Sequence, residues 1–307
     1  MERSGCLSES VHVPVLLREV LDYLKPQSDK IYVDGTLGGG GHTEAICRRG
    51  ARVLALDKDI EALNRTEYRL RSLFNEISSP EADSPIWFAH ADYRFFAEAL
   101  DMLKIEKIDG FLLDLGLSSD QLASQDRGFS FDSAGKLDMR FDVSEGQSAS
   151  ELLAKLSESS IADIIYQYGE EKYSRRIARK IVESRENDQP IQTARQLAEL
   201  VRHCIPKRGN HTIDPATRTF QALRIAVNDE LDALQSTLEL LPTRMKPEGI
   251  AVIISFHSLE DRIVKNAFRN DRYWLPITPK PVTASEEEVA CNPRSRSAKL
   301  RAATAKK

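Results

Sequence analysis

The sequence predicts an α/β fold: a mostly parallel sheet with helices on both faces, interrupted by an inserted all-helical domain. Three observations carry this. Four short runs are apolar at consecutive rather than alternate positions, the pattern of strands buried on both faces. The next convincing strand comes more than 130 residues after the fourth, where one crossover needs only about 30. A glycine-rich turn follows the first strand, where such sheets bind ligands.

The elements follow in order. Strands are expected at Ile31 to Asp34, Val53 to Leu56, Ile86 to Ala89 and Gly110 to Asp114, all rich in Ile, Val, Leu and Phe. Helices are expected at Ala149 to Leu156, Ile161 to Tyr168, Glu170 to Arg185 and Thr193 to Ile205, separated by polar breaks or by Gly169, Pro190, Pro206 and Gly209. In Phe220 to Leu241, Leu223, Val227, Leu231, Leu234, Leu238 and Leu241 recur at three- and four-residue steps, which predicts one amphipathic helix. A strand at Ile250 to Ser255 closes the pattern. Residues 1–121 and 215–307 are thus assigned to the sheet domain and 122–214 to the helical insertion.

The composition limits the function. The chain has 307 residues, 41% hydrophobic and 29% charged, values of an ordinary globular protein. No run approaches the ~18 to 20 uncharged apolar residues of a membrane span, and the amino terminus lacks the apolar centre of a secretory signal. Cys6, Cys47, Cys204 and Cys291 form no CxxC pair, so no zinc knuckle or redox motif is read, and a reducing cytoplasm fits. With a net charge of −4, an anionic partner must be held by local basic patches.

The first strand runs into Asp34-Gly35-Thr36-Leu37-Gly38-Gly39-Gly40-Gly41-His42, with a helix expected from about Thr43. Glycines let a ligand approach the main chain, and free N–H groups at a helix start attract an anion. The spacing is neither GxGxxG nor GxxxxGK, and no lysine follows, which disfavours a nucleotide phosphate. S-adenosylmethionine has no phosphate; it carries a carboxylate, an ammonium, ribose hydroxyls and adenine. Asp34 is expected to face the ammonium. Asp57 ends the second strand 19 positions after Gly38, where an acid commonly accepts hydrogen bonds from ribose. Asp114, ending the fourth strand, borders the same crevice. The bland alternative is a surface glycine turn beside two helix-capping acids.

Further blocks then become specific: LLDLGLSS at 112–119, RGFSF at 127–131, LDMRFD at 137–142, YGEE at 168–171, PATRTFQALRIAVNDEL at 215–231 and SFHSLEDRIVK at 255–265. With DGTLGGGGH at 34–42, and from His12 to Ser297, the chain resembles the bacterial 16S ribosomal RNA (cytosine-N4)-methyltransferases of the MraW type. The resemblance implies a class I S-adenosylmethionine-dependent methyltransferase sheet, Rossmann-like, with an inserted helical domain. It implies methylation of a cytidine N4 amine in the decoding region of the small ribosomal subunit. It places the cofactor at Gly40, Gly41, His42, Asp57, Tyr93, Asp114 and Gln121. The chain departs from the family pattern at Tyr93, Asp120 and Asp214, where Phe, Pro and His are usual; a tyrosine can still stack on adenine or ribose.

The cytosine amine is a poor nucleophile, so positioning should dominate catalysis, with effective molarity supplying ~7 to 11 kcal/mol. The Asp/Asn/Ser-Pro-Pro-aromatic turn common in amino methyltransferases is replaced by Asp114-Leu115-Gly116-Leu117. Asp138, Ser118 and Ser119 are candidates to meet the base; the alternative for LDMRFD is a packed turn in which Asp138 or Asp142 pairs with Arg140. Ser258 with Asp261 reads as a helix start, which favours a structural role for His257 over one lining the crevice. No metal-ligand spacing is present. Candidate RNA contacts are Lys172, Arg175, Arg176, Arg179 and Lys180 on one helix, Arg218 and Arg224, and the tail Arg294, Arg296, Lys299 and Arg301, the tail being the strongest because no acid interrupts it. Two other readings stay open: a small-molecule or protein methyltransferase, and a non-catalytic RNA-binding assembly factor. A homodimer is an open alternative for the assembly.

Overall fold

The structure, a computed structural model, describes residues 13–77, 84–118, 121–122, 124–206 and 214–306. Ser119, Asp120 and Gly209 lie outside the described residues.

The amino-terminal half alternates as expected: α1 (Leu17–Leu24), β1 (Ile31–Asp34), α2 (Gly41–Cys47), β2 (Arg52–Asp57), α3 (Ile60–Ile77), β3 (Ile86–His90), α4 (Phe96–Met102) and β4 (Ile108–Asp114). Then come α5 (Ala149–Lys155), α6 (Glu158–Gly169), α7 (Ser174–Glu186), α8 (Ala194–Cys204), α9 (Thr217–Asn228) and α10 (Glu230–Arg244). The chain closes with β5 (Met245–Ser255), α11 (Ser258–Phe268), β6 (Trp274–Pro276), α12 (Glu286–Cys291) and β7 (Lys299–Ala305).

The seven strands form one sheet in the order β3-β2-β1-β4-β5-β7-β6. β1 to β5 pair in parallel, and β7 runs antiparallel between β5 and β6. Successive side chains of a strand point to opposite faces, so the apolar runs feed two cores. Val53, Ala55 and Leu112 pack with Val20, Ile46 and Leu70 of α1 to α3. Leu54, Leu56, Phe111 and Leu113 pack with Phe96, Leu234 and Val264 of α4, α10 and α11. Such a sheet binds ligands beyond its carboxyl edge, where the strand order reverses. Here that point lies between β1 and β4, and β1, β2 and β4 each end on an acid: Asp34, Asp57 and Asp114.

A third core belongs to the helical body, where Ile161, Ile165, Ile177, Leu197 and Val201 meet Phe129, Leu137 and Met139. Two of its helices start on complete capping boxes, Ser148 with Glu151 and Thr193 with Gln196, each satisfying otherwise orphaned N–H groups. The insertion is not helical throughout. The described residues from 124 to 148 contain no helix; they form turns in which Arg127 donates to the carbonyls of Arg140 and Phe141 and pairs with Asp59 of the sheet body. Ala216, Phe220 and Leu223 join this helical core, past the boundary at 214 suggested by the break pattern.

Two further corrections bear on function. The helix expected over Phe220 to Leu241 is two helices, broken at Asp229, which adopts a left-handed conformation (φ 54°). Asn and Asp tolerate that region better than other non-glycine residues, and Asn228-Asp229 was the available signal. The basic tail is not a free segment: it contributes β7, and Arg301 is buried against Asp261 at 2.6 Å. No helix among the described residues is long and apolar enough to cross a membrane.

Candidate active site

The glycine turn is shaped from beneath. Asp34, 1% exposed, accepts from Thr43 Oγ1 at 2.7 Å and from the Thr36 amide at 3.2 Å, while Thr36 Oγ1 accepts the Asp114 amide at 2.7 Å. Asp34 therefore braces the turn and is not among the residues lining the cleft, contrary to the expectation that it faces an ammonium. Burial raises its carboxyl above the ordinary range, opposed by the Thr43 hydroxyl. Thr43→Val keeps the shape but removes that donor from a buried acid, at an expected cost of roughly 1.5–3 kcal/mol; urea unfolding of wild type and variant measures it, and equal midpoints would refute the bracing role.

Above the turn, Gly40 has φ +74°, and a Cβ there would lie 2.5 Å from Thr66; one at Gly41 would lie 2.9 Å from Pro14. The main chain is thus exposed to the cleft while its back is tightly packed. α2 starts at Gly41, two residues earlier than expected, so His42 sits in its first turn.

Gly40, Gly41, His42, Asp57, Tyr93, Asp114 and Gln121 all line one cleft of about 970 Å³, counted to its open mouth. Asp57 accepts the Gly38 amide at 2.7 Å through Oδ2 and the Asp59 amide at 2.8 Å through Oδ1. Burial pushes its carboxyl up to about 6, with the charges of Asp59 and Asp34 adding to the rise. Tyr93 donates its hydroxyl to the Glu230 carbonyl at 3.2 Å; burial, then the charges of Asp92 and Glu230, hold its phenol well above the ordinary range, so it stays neutral. His42 Nε2 lies 3.7 Å from Asp114 Oδ2. Both ring nitrogens of His42 and Oδ1 of Asp114 are buried with no hydrogen-bond partner among the described residues. Buried polar atoms are rarely left so, and these two side chains face a ligand-sized space. Gln121 is already engaged, donating to Asp59 Oδ2 at 3.1 Å and accepting the Ser118 amide at 2.9 Å.

Asp138 does not line the cleft. Arg140 takes both of its oxygens at 2.8 Å and holds its carboxyl below the ordinary range against the opposing effect of burial. LDMRFD instead delivers Phe141, which lines the cleft and stacks on Phe129 at 5.7 Å between ring centres. Asn228 fixes this loop, accepting the Phe141 amide at 2.8 Å and donating to the Met139 carbonyl at 2.7 Å.

Sequence reasoning missed the opposite wall, where Glu230 and Glu260 line the cleft. Arg224 binds both oxygens of Glu230 at 2.8 Å and reaches within 3.8 Å of Glu260. Arg224 is therefore an internal counter-charge, not an RNA contact. His257 lies 3.0 Å from Glu260 and caps α11 in a reciprocal box with it, one residue earlier than the expected Ser258 start; Asp261 turns instead to Arg301. Glu230, His257 and Glu260 are close enough to hold a cation, and the guanidinium of Arg224 already supplies one.

These features, the strand order with antiparallel β7 and the cleft at the β1/β4 reversal, are those of the class I methyltransferase fold. The ribosomal RNA small subunit methyltransferase H of Sorangium cellulosum is 48% identical over 293 residues, covering 95% of this chain and 90% of the relative. The protein of the same name from Rhodopirellula baltica is 46% identical over 307 residues, covering 96% and 92%. Among solved structures, an rRNA methylase from Streptococcus thermophilus aligns over 98% of this chain and 100% of its own, at a TM-score of 0.46 and 10% identity. Residues 9–306 match the model of the MraW methylase family, and the chain belongs to that family.

Proposed function

We propose that this protein uses S-adenosylmethionine to methylate the exocyclic N4 amine of a cytidine in 16S ribosomal RNA, in the decoding region of the small subunit, and does so in the cytoplasm. The observation that carries the reading is the cleft itself, where all seven expected cofactor contacts converge. Family membership and the names of the relatives support the RNA substrate.

The residues fit the cofactor. Asp57 has one lone-pair site per oxygen beyond its two amide bonds, enough for two ribose hydroxyls. Tyr93 offers a neutral aromatic face. His42 and Asp114 offer polar atoms that no group among the described residues satisfies. On the walls Lys58 pairs with Asp92, and Arg224 balances Glu230 and Glu260 from behind, so Asp57 and Asp114 are the wall acids left to favour a cation. Bound there, S-adenosylmethionine supplies an electrophilic methyl group. Phe141 at the cleft gives a flipped base a ring to stack against.

The test is transfer of radiolabelled methyl to small subunits from cells lacking the enzyme, compared with naked 16S RNA and free cytidine. Digestion should yield N4-methylcytidine from the subunit. Label in another nucleoside would overturn the N4 assignment, and cofactor binding without transfer to any RNA would favour a non-catalytic assembly factor.

A further inference from the structure

We infer that RNA phosphates run along the seam between the helical body and α11, centred on Glu170, rather than along the carboxyl-terminal tail. This rests on the proposed RNA substrate and names the surface that holds it.

The structure first removes competing cations. Arg224 and Arg301 are buried in ion pairs, Arg179 pairs with Glu158, and Lys180 pairs with Glu183. In the tail, Lys299 stands 3.9 Å from Asp261 and Arg294 lines the cleft; of the other candidates, all but Arg296 gather at one place. Glu170 ends α6 in a left-handed conformation (φ 50°) and turns its side chain onto α11, accepting from Ser258 at 2.9 Å and facing Arg262 at 3.4 Å. Its carbonyl accepts from Arg218 of α9 at 3.2 Å. Three elements meet there, and α11 begins only two residues before Glu260, which lines the cleft.

Lys172, Arg175 and Arg176 follow within the next six residues, all exposed. At a rise of about 1.5 Å per residue in the helix, they stay beside the seam. No acid among the described residues lies within ion-pair distance of these three, while the Glu170 carboxylate faces Arg262 and Arg218 reaches only the Glu170 main-chain carbonyl. Glu171, the other nearby acid, is buried.

Two exposed aromatics make nucleic acid the better partner than an acidic protein. Tyr166, 61% exposed, sits one turn before the end of α6, and Tyr173, 36% exposed, immediately precedes α7. Cations that track a backbone, with rings on which bases stack, are how single strands are held. The target base has to leave its stack to enter the cleft, so strand flanking it at the rim is single-stranded.

The test uses the full chain and two probes: small subunits lacking the modification, and a 20-nucleotide single-stranded RNA of mixed sequence. Lys172→Glu/Arg175→Glu/Arg176→Glu should weaken binding of both by roughly tenfold or more at 0.1 M salt. At ~0.7 per phosphate contact, the slope of log affinity against log salt should fall by about 2. Neutral Gln replacements should give the same slope change, guarding against misfolding of the charge-reversed variant. Tyr166→Ala/Tyr173→Ala should cost about fivefold or more with the slope unchanged. Lys104→Glu/Lys107→Glu, at the opposite edge of the sheet where β4 begins, should leave the slope unchanged. S-adenosylmethionine affinity, measured by calorimetry, should match wild type in every variant. An unchanged slope in the Lys172 triple variants overturns the seam while leaving the methyl-transfer reading intact. Equal competition by polyglutamate of matched charge overturns RNA as its occupant. Wild-type protein that binds neither probe overturns both readings.

Discussion

Asp57→Ala is expected to lower the affinity for S-adenosylmethionine by roughly 100-fold or more. The carboxylate orders the Gly38 and Asp59 amides at 2.7 and 2.8 Å and keeps an acceptor site on each oxygen for the ribose. A hydrogen bond to a charged group contributes about 1.5–3 kcal/mol, so two correspond to roughly 10²- to 10⁴-fold. The same residue gives binding a pH dependence. Burial lifts its carboxyl from the ordinary 3.8 to about 6. The folded apo chain therefore holds a proton there that the unfolded chain has released. The resulting contribution to stability is full below about pH 4 and is lost as pH rises through 6. Cofactor binding runs the other way: ribose hydroxyls donate to the ionised carboxylate, so affinity should rise from pH 5 to 7. Calorimetric titrations over that range should show the rise in wild type and a flattened profile in Asp57→Asn. A wild-type affinity independent of pH would remove Asp57 from the binding site.

Arg224→Met should cost roughly 3–5 kcal/mol of unfolding free energy, the usual result of stranding a buried charge. The guanidinium holds Glu230 bidentately at 2.8 Å and stands 3.8 Å from Glu260. Burial pushes both carboxyls up. For Glu230 it prevails, with the charge of Glu260 adding to the rise; for Glu260 the attraction of His257 and Arg224 and the Phe256 amide outweighs it. Without Arg224, two acids face each other in a low-dielectric wall. Urea denaturation without ligand measures the loss. The double variant Arg224→Met/Glu230→Met should recover at least half of it, since removing both partners leaves less uncompensated charge. A single-variant cost under about 1 kcal/mol would show that solvent, not Arg224, balances Glu230 and Glu260.

The parts of the fold legible in the sequence were those set by local physics. Buried parallel strands are apolar at every position, so β1 to β4 stood out within a residue or two of their observed limits. Helix-like stretches bounded by polar residues, Gly169, Pro190 and Pro206 marked α5, α6 and α8. β6 and β7 were not legible: β6 has three residues, and β7 reads as a basic tail because Lys299 and Arg301 are balanced by Asp261, 40 residues away from Arg301. The break at Asp229 hid inside a continuous leucine period, since a single left-handed residue interrupts the backbone without altering the apolar spacing.

For the site, the sequence by itself determined the glycine turn, the acids at the ends of β2 and β4, and thereby the position of the cleft, because each depends on residue type at a strand end. Only the tertiary structure decided that Asp34 braces the turn from behind, that Asp138 is tied to Arg140, and that Arg224, Glu230, His257 and Glu260 form a buried charged wall. The physical reason is that a charged side chain has the same letter whether water or a counter-ion satisfies it, and which of the two it meets is fixed by contacts between segments far apart in the chain.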